Sequence, residues 1–367
     1  MNNRKVVLEN GMVFEGKGFG SKAECVSELV FNTSVVGYQE ILSDPSNFGQ
    51  IVCMSYPLIG NYGLTDEDYE SKSITVSGVI CREYNDIPSN FRYTHKLGEV
   101  MEEYNVPGIE GVDTRQIVRT IRDNGTMKAL ICDIDKPIDE CLEIIKNYVV
   151  PNNQVATMSS KKVWHSRTQN PVYNVVAVDC GIKRSLVKQL NAIGCNVVVV
   201  PYNTSVETIM SYKPHGIFLS DGPGNPNDIP EVINLVNELK GKLPILGVGL
   251  GQEVIGLAYG AKIYKQKCGH NGCNIPVRNI ATNKIEITSQ NDLYALDVES
   301  LKGTGLVVTH KNVLDGVPTG IMDSKNKVIA VQYNPSDAVD PEEYVFNRFK
   351  KLMKKNGGNG YAKKNWY

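Results

Sequence analysis

The chain has 367 residues, enough for two or three domains at about 100–200 residues each. Hydrophobic residues make up 41% and charged residues 22%, so the chain can bury real cores and is not disordered. Lys plus Arg is 39 against Asp plus Glu 40, a balance that argues against an electrostatic nucleic-acid binder or a polybasic membrane protein.

No apolar run approaches the roughly 20 residues that span a bilayer. The opening MNNRKVVLENG offers neither an apolar leader segment nor a cleavage site. A soluble, cytosolic protein is expected. Nine cysteines, odd in number and without a C-x-x-C pair, fit small buried thiols in a reducing compartment better than a disulfide framework or a zinc site.

In chain order, KVVLENG, SELVFNTS, QIVCMSYP and SITVSGVI read as strands, mixed with helical stretches such as HKLGEVMEEYNV. The mixture predicts an α+β domain. Gly111 to Gly125 reads as a helix capped by Asp113 or Thr114. Ile117, Val118 and Ile121 form its apolar stripe, and Gly125 stops it. Between Pro151 and Pro171 the sequence is polar and lacks sustained periodicity, which reads as a connector. The expected division is therefore a first domain over 1–152, a linker over 153–171, a second domain over 172–357 and a frayed basic tail over 358–367.

The second domain alternates strand and helix. VYNVVAVDCG is nearly continuous in apolar residues, as a strand buried on both faces should be. IKRSLVKQLNAIG follows with Leu186, Val187, Leu190 and Ile193 on one helical face. NVVVVPY, a helix near Val206 to Tyr212, GIFLSDGPG, a helix from about Pro230 and LPILGVG continue the series. Repeated β-α units at this spacing predict a parallel sheet with right-handed crossovers.

The sharpest local feature runs from Leu243 to Gly260. An apolar strand enters Gly247-Val248-Gly249-Leu250-Gly251, and a helix begins at once. The spacing is that of a G-x-(Ser or Cys)-x-G nucleophile elbow, whose tight turn lifts the central residue above the sheet edge at a helix N-terminus. Backbone N–H groups and the helix dipole there can stabilise an oxyanion or a thiolate. The central residue is Gly249, which carries no nucleophile. A residue in a strained turn costs about 1–3 kcal/mol, and Gly removes that strain once the side chain has no task.

Two blocks in the first half, Val30 to Gly63 and Gly111 to Ala129, together with VAVDCGIKRSLVKQL, GIFLSDGPGNP, ILGVGLGQE, CGHNGCNIPV, TSQNDLYALD, VVTHKNVLDG and AVQYNPS in the second half, make the chain recognisable. Over nearly its whole length it resembles the small, glutamine-amidotransferase subunit of carbamoyl phosphate synthetase. The resemblance implies an α/β protein, with an N-terminal α+β small-subunit domain and a C-terminal class I glutamine amidotransferase domain built on an open, mostly parallel sheet flanked by helices. In that family an elbow Cys attacks the side-chain amide of glutamine. A His two residues before a Glu activates it, and ammonia leaves for the large subunit.

Carried over by position, the nucleophile falls on Gly249, the His on Asn334 and the Glu on Ser336. Asn cannot take and return a proton near neutral pH, and Ser cannot orient an imidazolium. The vestigial glutamine pocket implied by the resemblance comprises Ser46, Gly222, Gly224, Leu250, Glu253, Asn291, Leu293 and Tyr294, with oxyanion-hole amides at Gly222 and Leu250 that could still form. Leu293 replaces a Gly and should crowd the substrate. Asp292 replaces a His, Gln252 and Glu253 stand where the family has His and Gln, and Glu253 adds a charge. His270 and His310 match family positions outside the triad, where structural hydrogen bonding is expected.

The implied function is the small subunit of a carbamoyl phosphate synthetase with an inactive glutaminase site. It would support a large subunit that makes carbamoyl phosphate from bicarbonate, ATP and ammonia for arginine or pyrimidine biosynthesis. No cofactor is expected in this chain; ATP and magnesium belong to the partner. Two alternatives stay open. One is a glutaminase or amidase with a relocated nucleophile, for which Cys268 or Cys273 are the candidates. The other is a pseudoenzyme binding module with a different partner.

Overall fold

Short β-branched and aromatic runs in the first 133 residues pair into a closed barrel. Around it the strands follow as Asn3–Leu8, Val13–Gly20, Pro107–Glu110, Gly78–Ile80, Ile51–Met54, Cys25–Asn32 and Met127–Asp133, which returns to Asn3–Leu8. Closure leaves no edge strand to be covered. Side chains alternate across the wall, as the period of two requires. Val6 and Leu8 join one core with Ile117 and Ile121, whereas Val7 joins another with Cys141 and Ile145. The helix Thr114–Asn124 begins and ends as its sequence predicts: Asp113 accepts from the Gln116 N–H (2.9 Å), and Gly125 takes φ 99°.

The computed structural model describes residues 3–335 and 344–355. They fall into two compact units, one of residues up to Pro151 together with Lys267–Gly272, the other of Asn152–Gln266 together with the chain from Cys273. Ser336 and the tail over 358–367 lie outside the described residues.

The second unit holds a ten-stranded sheet in the order Trp164–Ser166, Cys195–Pro201, Tyr173–Asp179, Gly216–Leu219, Ile245–Val248, Val328–Val331, Pro318–Asp323, Val307–Asn312, Ile263–Asn279 and Ile285–Leu296. From Cys195–Pro201 to Val328–Val331 the pairing is parallel. Every residue of Tyr173–Asp179 is buried, and its two faces feed two cores. Val176 and Val178 meet Val232, Val236 and Val254 from the helices Pro230–Leu239 and Leu250–Ala258. Val175 and Ala177 meet Leu186 and Leu190 of Arg184–Ala192 and Phe346 and Phe349 of Val345–Lys355. The helices therefore cover both faces, as a parallel sheet needs.

One sequence expectation needs correction. The polar segment taken as a linker over 153–171 carries a helix, Gln154–Met158, and an edge strand, Trp164–Ser166, that pairs antiparallel with Cys195–Pro201. Val155 is buried in the second unit's core. A short edge strand takes its pairing from its neighbour, so its own composition carries little periodic signal.

Candidate active site

Four strand ends converge at the carboxyl edge of the parallel sheet, where open α/β sheets form their ligand crevices. After Tyr173–Asp179 the chain turns on its last residue. Asp179 Oδ1 accepts from the N–H groups of Gly181 (3.0 Å) and Ile182 (2.8 Å), and Oδ2 accepts from Ser160 N–H (2.9 Å). This turn delivers Lys183 to the start of the helix Arg184–Ala192. There it is buried, with Nζ 3.0 Å from Asp221 Oδ2.

After Gly216–Leu219 come Ser220, Asp221 and Gly222. Ser220 is fully buried; its Oγ accepts from Cys180 N–H (2.9 Å) and donates to Asp221 O (2.8 Å). A Cβ at Gly222 would stand 2.3 Å from the Cys180 carbonyl oxygen, so no larger residue fits this crossing of two strand ends. Gly224 follows at φ 88° beside Gln154, with 2.5 Å between its Cβ position and Gln154 Oε1.

The elbow follows Ile245–Val248. Gly249 sits at φ 55°, ψ −117°. Its N–H donates to Val331 O (2.9 Å), and its carbonyl accepts from Gln252 N–H (2.8 Å) to open the helix. Any Cβ at position 249 would lie 2.1 Å from Asp221 Oδ1. Gly222 and Leu250 are the two residues whose amides were expected to form an oxyanion hole. The N–H groups of Gly222 and Leu250 do converge, but on Asp221 Oδ1, at 2.9 and 3.2 Å. The donors that an elbow aims at a substrate oxyanion are held by a carboxylate of the protein itself.

Beyond Val328–Val331 lie Gln332, Tyr333 and Asn334. Asn334 N–H donates to Ser289 O (2.8 Å), tying this position to the strand Ile285–Leu296, and its buried Oδ1 meets no hydrogen-bond donor among the described residues. Gln332 links Gln252 and Glu253. Its Nε2 donates to Glu253 Oε1 (2.9 Å), and its Oε1 accepts from Gln252 Nε2 (2.9 Å). Glu253 is 3% exposed. Burial, reinforced by Asp292, pushes its carboxyl well above the ordinary carboxylate range against the Gln332 hydrogen bond, with a smaller push from Asp221. The added charge expected of Glu253 is thus disfavoured, and the residue serves as one member of a buried polar chain.

Asn291, Leu293 and Tyr294 share the strand Ile285–Leu296 and are partly buried. Gln266 Nε2 spans the middle of this run, donating to Asp292 Oδ1 (2.5 Å) and Tyr294 O (3.2 Å). Ser46 belongs to the first unit, in the one-turn helix Pro45–Asn47, where its N–H and Oγ both donate to Asp44 Oδ1 (2.9 and 2.6 Å). His310 is buried, with Nδ1 2.9 Å from Thr309 Oγ1 and its ring edge-on to Tyr333.

Neither thiol candidate for a relocated nucleophile stands at a helix N-terminus. Cys268 and Cys273 both lie on Ile263–Asn279; Cys268 packs against the first unit's core and Cys273 is exposed. Among the described residues no three His, Cys, Asp or Glu side chains are placed to hold a metal ion, and no helix is long and apolar enough to cross a membrane. Sequence reasoning missed the Asp221–Lys183 pair. Asp221 directly precedes the Gly-Pro-Gly turn and reads there as an ordinary turn residue.

A strand–elbow–helix with converging amides at the carboxyl edge of a doubly covered sheet is the frame of an amidotransferase. Residues 176–352 match the family model of glutamine amidotransferase class-I, and residues 6–131 match that of the carbamoyl-phosphate synthase small chain, CPSase domain. The chain is 43% identical to the carbamoyl phosphate synthase small chain of Fusobacterium nucleatum subsp. nucleatum, over 97% of this chain and 99% of that one. It is also 43% identical to the pyrimidine-specific small chain of Halalkalibacterium halodurans, over 96% and 98% of the two chains. Identity to the pyrimidine-specific small chain of Bacillus subtilis is 42%, over 98% of each. The chain belongs to the carbamoyl phosphate synthase small chain family.

Proposed function

We propose that this chain is a synthase small chain that has lost the glutaminase step and supports an ammonia-fed large chain. The observation that carries the reading is Gly249 at the elbow. Glutamine hydrolysis through a thioester needs a thiolate to attack the side-chain amide carbon, a base that returns a proton to the leaving ammonia, and two donors for the tetrahedral oxyanion. Position 249 offers no thiol, Asn334 offers no titrating group, and the two amides already hold Asp221. Three separate requirements are unmet, and each loss alone slows such chemistry by orders of magnitude.

In this reading the large chain binds ATP and magnesium and makes carbamoyl phosphate from bicarbonate and free ammonia in the cytoplasm, and this chain contributes its surface and fold to the assembly. The pyrimidine-specific names of two relatives support pyrimidine biosynthesis, rather than arginine biosynthesis, as the destination. The test reconstitutes this chain with the large chain from the same source and measures carbamoyl phosphate formed from ammonia and from glutamine. Synthesis from ammonia alone, with glutamate release at the buffer rate, is the expected result. Glutamine-driven synthesis would overturn the reading, and so would failure of the two chains to associate.

A further inference from the structure

The elbow has lost its side chain, and another side chain stands in the vacated volume. We propose that Asp221 is an internal anion that closes the oxyanion hole and bars any side chain at position 249, so that nucleophile chemistry at this elbow cannot return while Asp221 is present. The proposal rests on the reading of a lost glutaminase for the identity of the two amides, and it goes beyond that reading by assigning Asp221 the role of keeping the site closed.

The carboxylate is held from three sides. Oδ1 accepts from Gly222 N–H (2.9 Å) and Leu250 N–H (3.2 Å), and Oδ2 lies 3.0 Å from Lys183 Nζ. The Asp221 side chain is 10% exposed and that of Lys183 4%. An acyl-transfer oxyanion would seek the same two amides, one of which, that of Leu250, opens the helix Leu250–Ala258. The internal carboxylate is permanently local, so an external oxyanion competes with a ligand that does not diffuse away.

The same oxygen excludes a side chain. A Cβ on Gly249 would lie 2.1 Å from Asp221 Oδ1 and 2.4 Å from its Cγ, far inside any contact real atoms make. A flexible side-chain end could swing aside. Asp221 is not one, because moving it breaks two amide hydrogen bonds and the ion pair with the buried Lys183 ammonium. Gly249, Asp221 and Lys183 therefore form one self-consistent arrangement. Glycine makes room for the carboxylate, and the carboxylate satisfies the amides and the lysine.

The test uses the full chain carrying Gly249→Cys, with and without Asp221→Ala, and follows alkylation by iodoacetamide at pH 7 on the peptide that contains position 249. In this reaction the thiolate displaces iodide and becomes the carboxamidomethyl thioether. With Asp221 in place, a neighbouring carboxylate opposes the thiolate. With Asp221 removed, the helix N-terminus, two free amides and Lys183 favour it. We expect alkylation at least about tenfold faster in the double variant; equal rates would overturn the proposal. A second measurement covers the case in which either variant folds poorly. Gly249→Ala is expected to lower Tm by at least about 4 °C more in the wild-type background than in Asp221→Ala, because only the former has the clash. Additive shifts would also overturn the proposal. Neither measurement involves glutamine or the large chain, so a failure here and a failure of the proposed function remain distinguishable.

Discussion

Asp113 and Asp221 each serve the start of an α-helix, and they arrive by different routes. Asp113 is the residue before Thr114–Asn124, exposed, and accepts from the Gln116 N–H three positions on. Asp221 reaches the start of Leu250–Ala258 from 29 residues upstream, buried and paired with a buried lysine, because the residue at that helix's own cap, Gly249, has no side chain to offer. The first is a local cap, removable with little consequence beyond its helix. The second ties together three strand ends, an ion pair and the elbow at Gly249. A helix N-terminus needs an acceptor in either case; what differs is how much else depends on that acceptor.

The largest expected effect of breaking this contrast is chemical. Restoring Gly249→Cys, Asn334→His and Ser336→Glu, and reopening the pocket with Leu293→Gly and Glu253→Gln, is expected to leave glutamate release at background while Asp221 remains. Adding Asp221→Ala to that set should raise release by about 10²–10³-fold, the scale of an oxyanion-hole donor. A glutamate-release assay on the chain with five and with six substitutions reads the difference. Substantial turnover with Asp221 present would show that the carboxylate does not compete for the hole.

Next in size is stability. Asp221→Ala alone removes the buried ion-pair partner of Lys183 and the acceptor of both amides, and removing one partner of a buried pair costs about 3–5 kcal/mol. In a domain of this size that is a fall in Tm of about 6–20 °C, read by differential scanning calorimetry. Lys183→Met added to Asp221→Ala should recover part of the loss, since the uncompensated charge is then gone. Asp113→Ala, by contrast, removes one exposed cap worth about 1 kcal/mol. If the two aspartate variants cost the same in urea unfolding, the distinction between local and remote caps fails.

The contrast also marks what a sequence can disclose. The cap, apolar stripe and stop of Thr114–Asn124 lie within a dozen consecutive residues, and the structure forms the helix between them. The alternation after Tyr173 similarly discloses a parallel sheet, and the Gly247–Gly251 spacing discloses the turn into the helix Leu250–Ala258. Closure of the barrel is illegible because it depends on Asn3–Leu8 meeting Met127–Asp133, a pairing no local pattern specifies. Asp221 is illegible for the same reason: nothing beside it announces Leu250 or Lys183. Glu253 shows a third kind of blindness. A carboxylate in a sequence reads as a charge, and only burial reveals that the charge is unwelcome.

That last point gives the smallest and most specific expectation. Burial, with Asp292 and Asp221 nearby, holds the Glu253 carboxyl above its ordinary range in the folded chain. The unfolded chain releases this proton near pH 4.3, about the value of a free Glu. Between that pH and the raised folded value, the unfolded state binds fewer protons than the folded state, so stability contributed at this site falls as pH rises. Below the unfolded value both states keep the proton and the site contributes its full share. Glu253→Gln cannot ionise, yet its amide oxygen can still accept from Gln332 Nε2, the bond that spans 2.9 Å in the native chain. The substitution should therefore be nearly neutral at pH 4 and stabilising at pH 8, read as a Tm above the parent's that appears only as pH rises. A Tm difference between variant and parent that stays flat from pH 4 to pH 8 would mean that Glu253 is ionised in the fold and that its burial is compensated by a charge partner. A difference that grows with pH shows that burying Glu253 carries a measurable cost in stability at neutral pH.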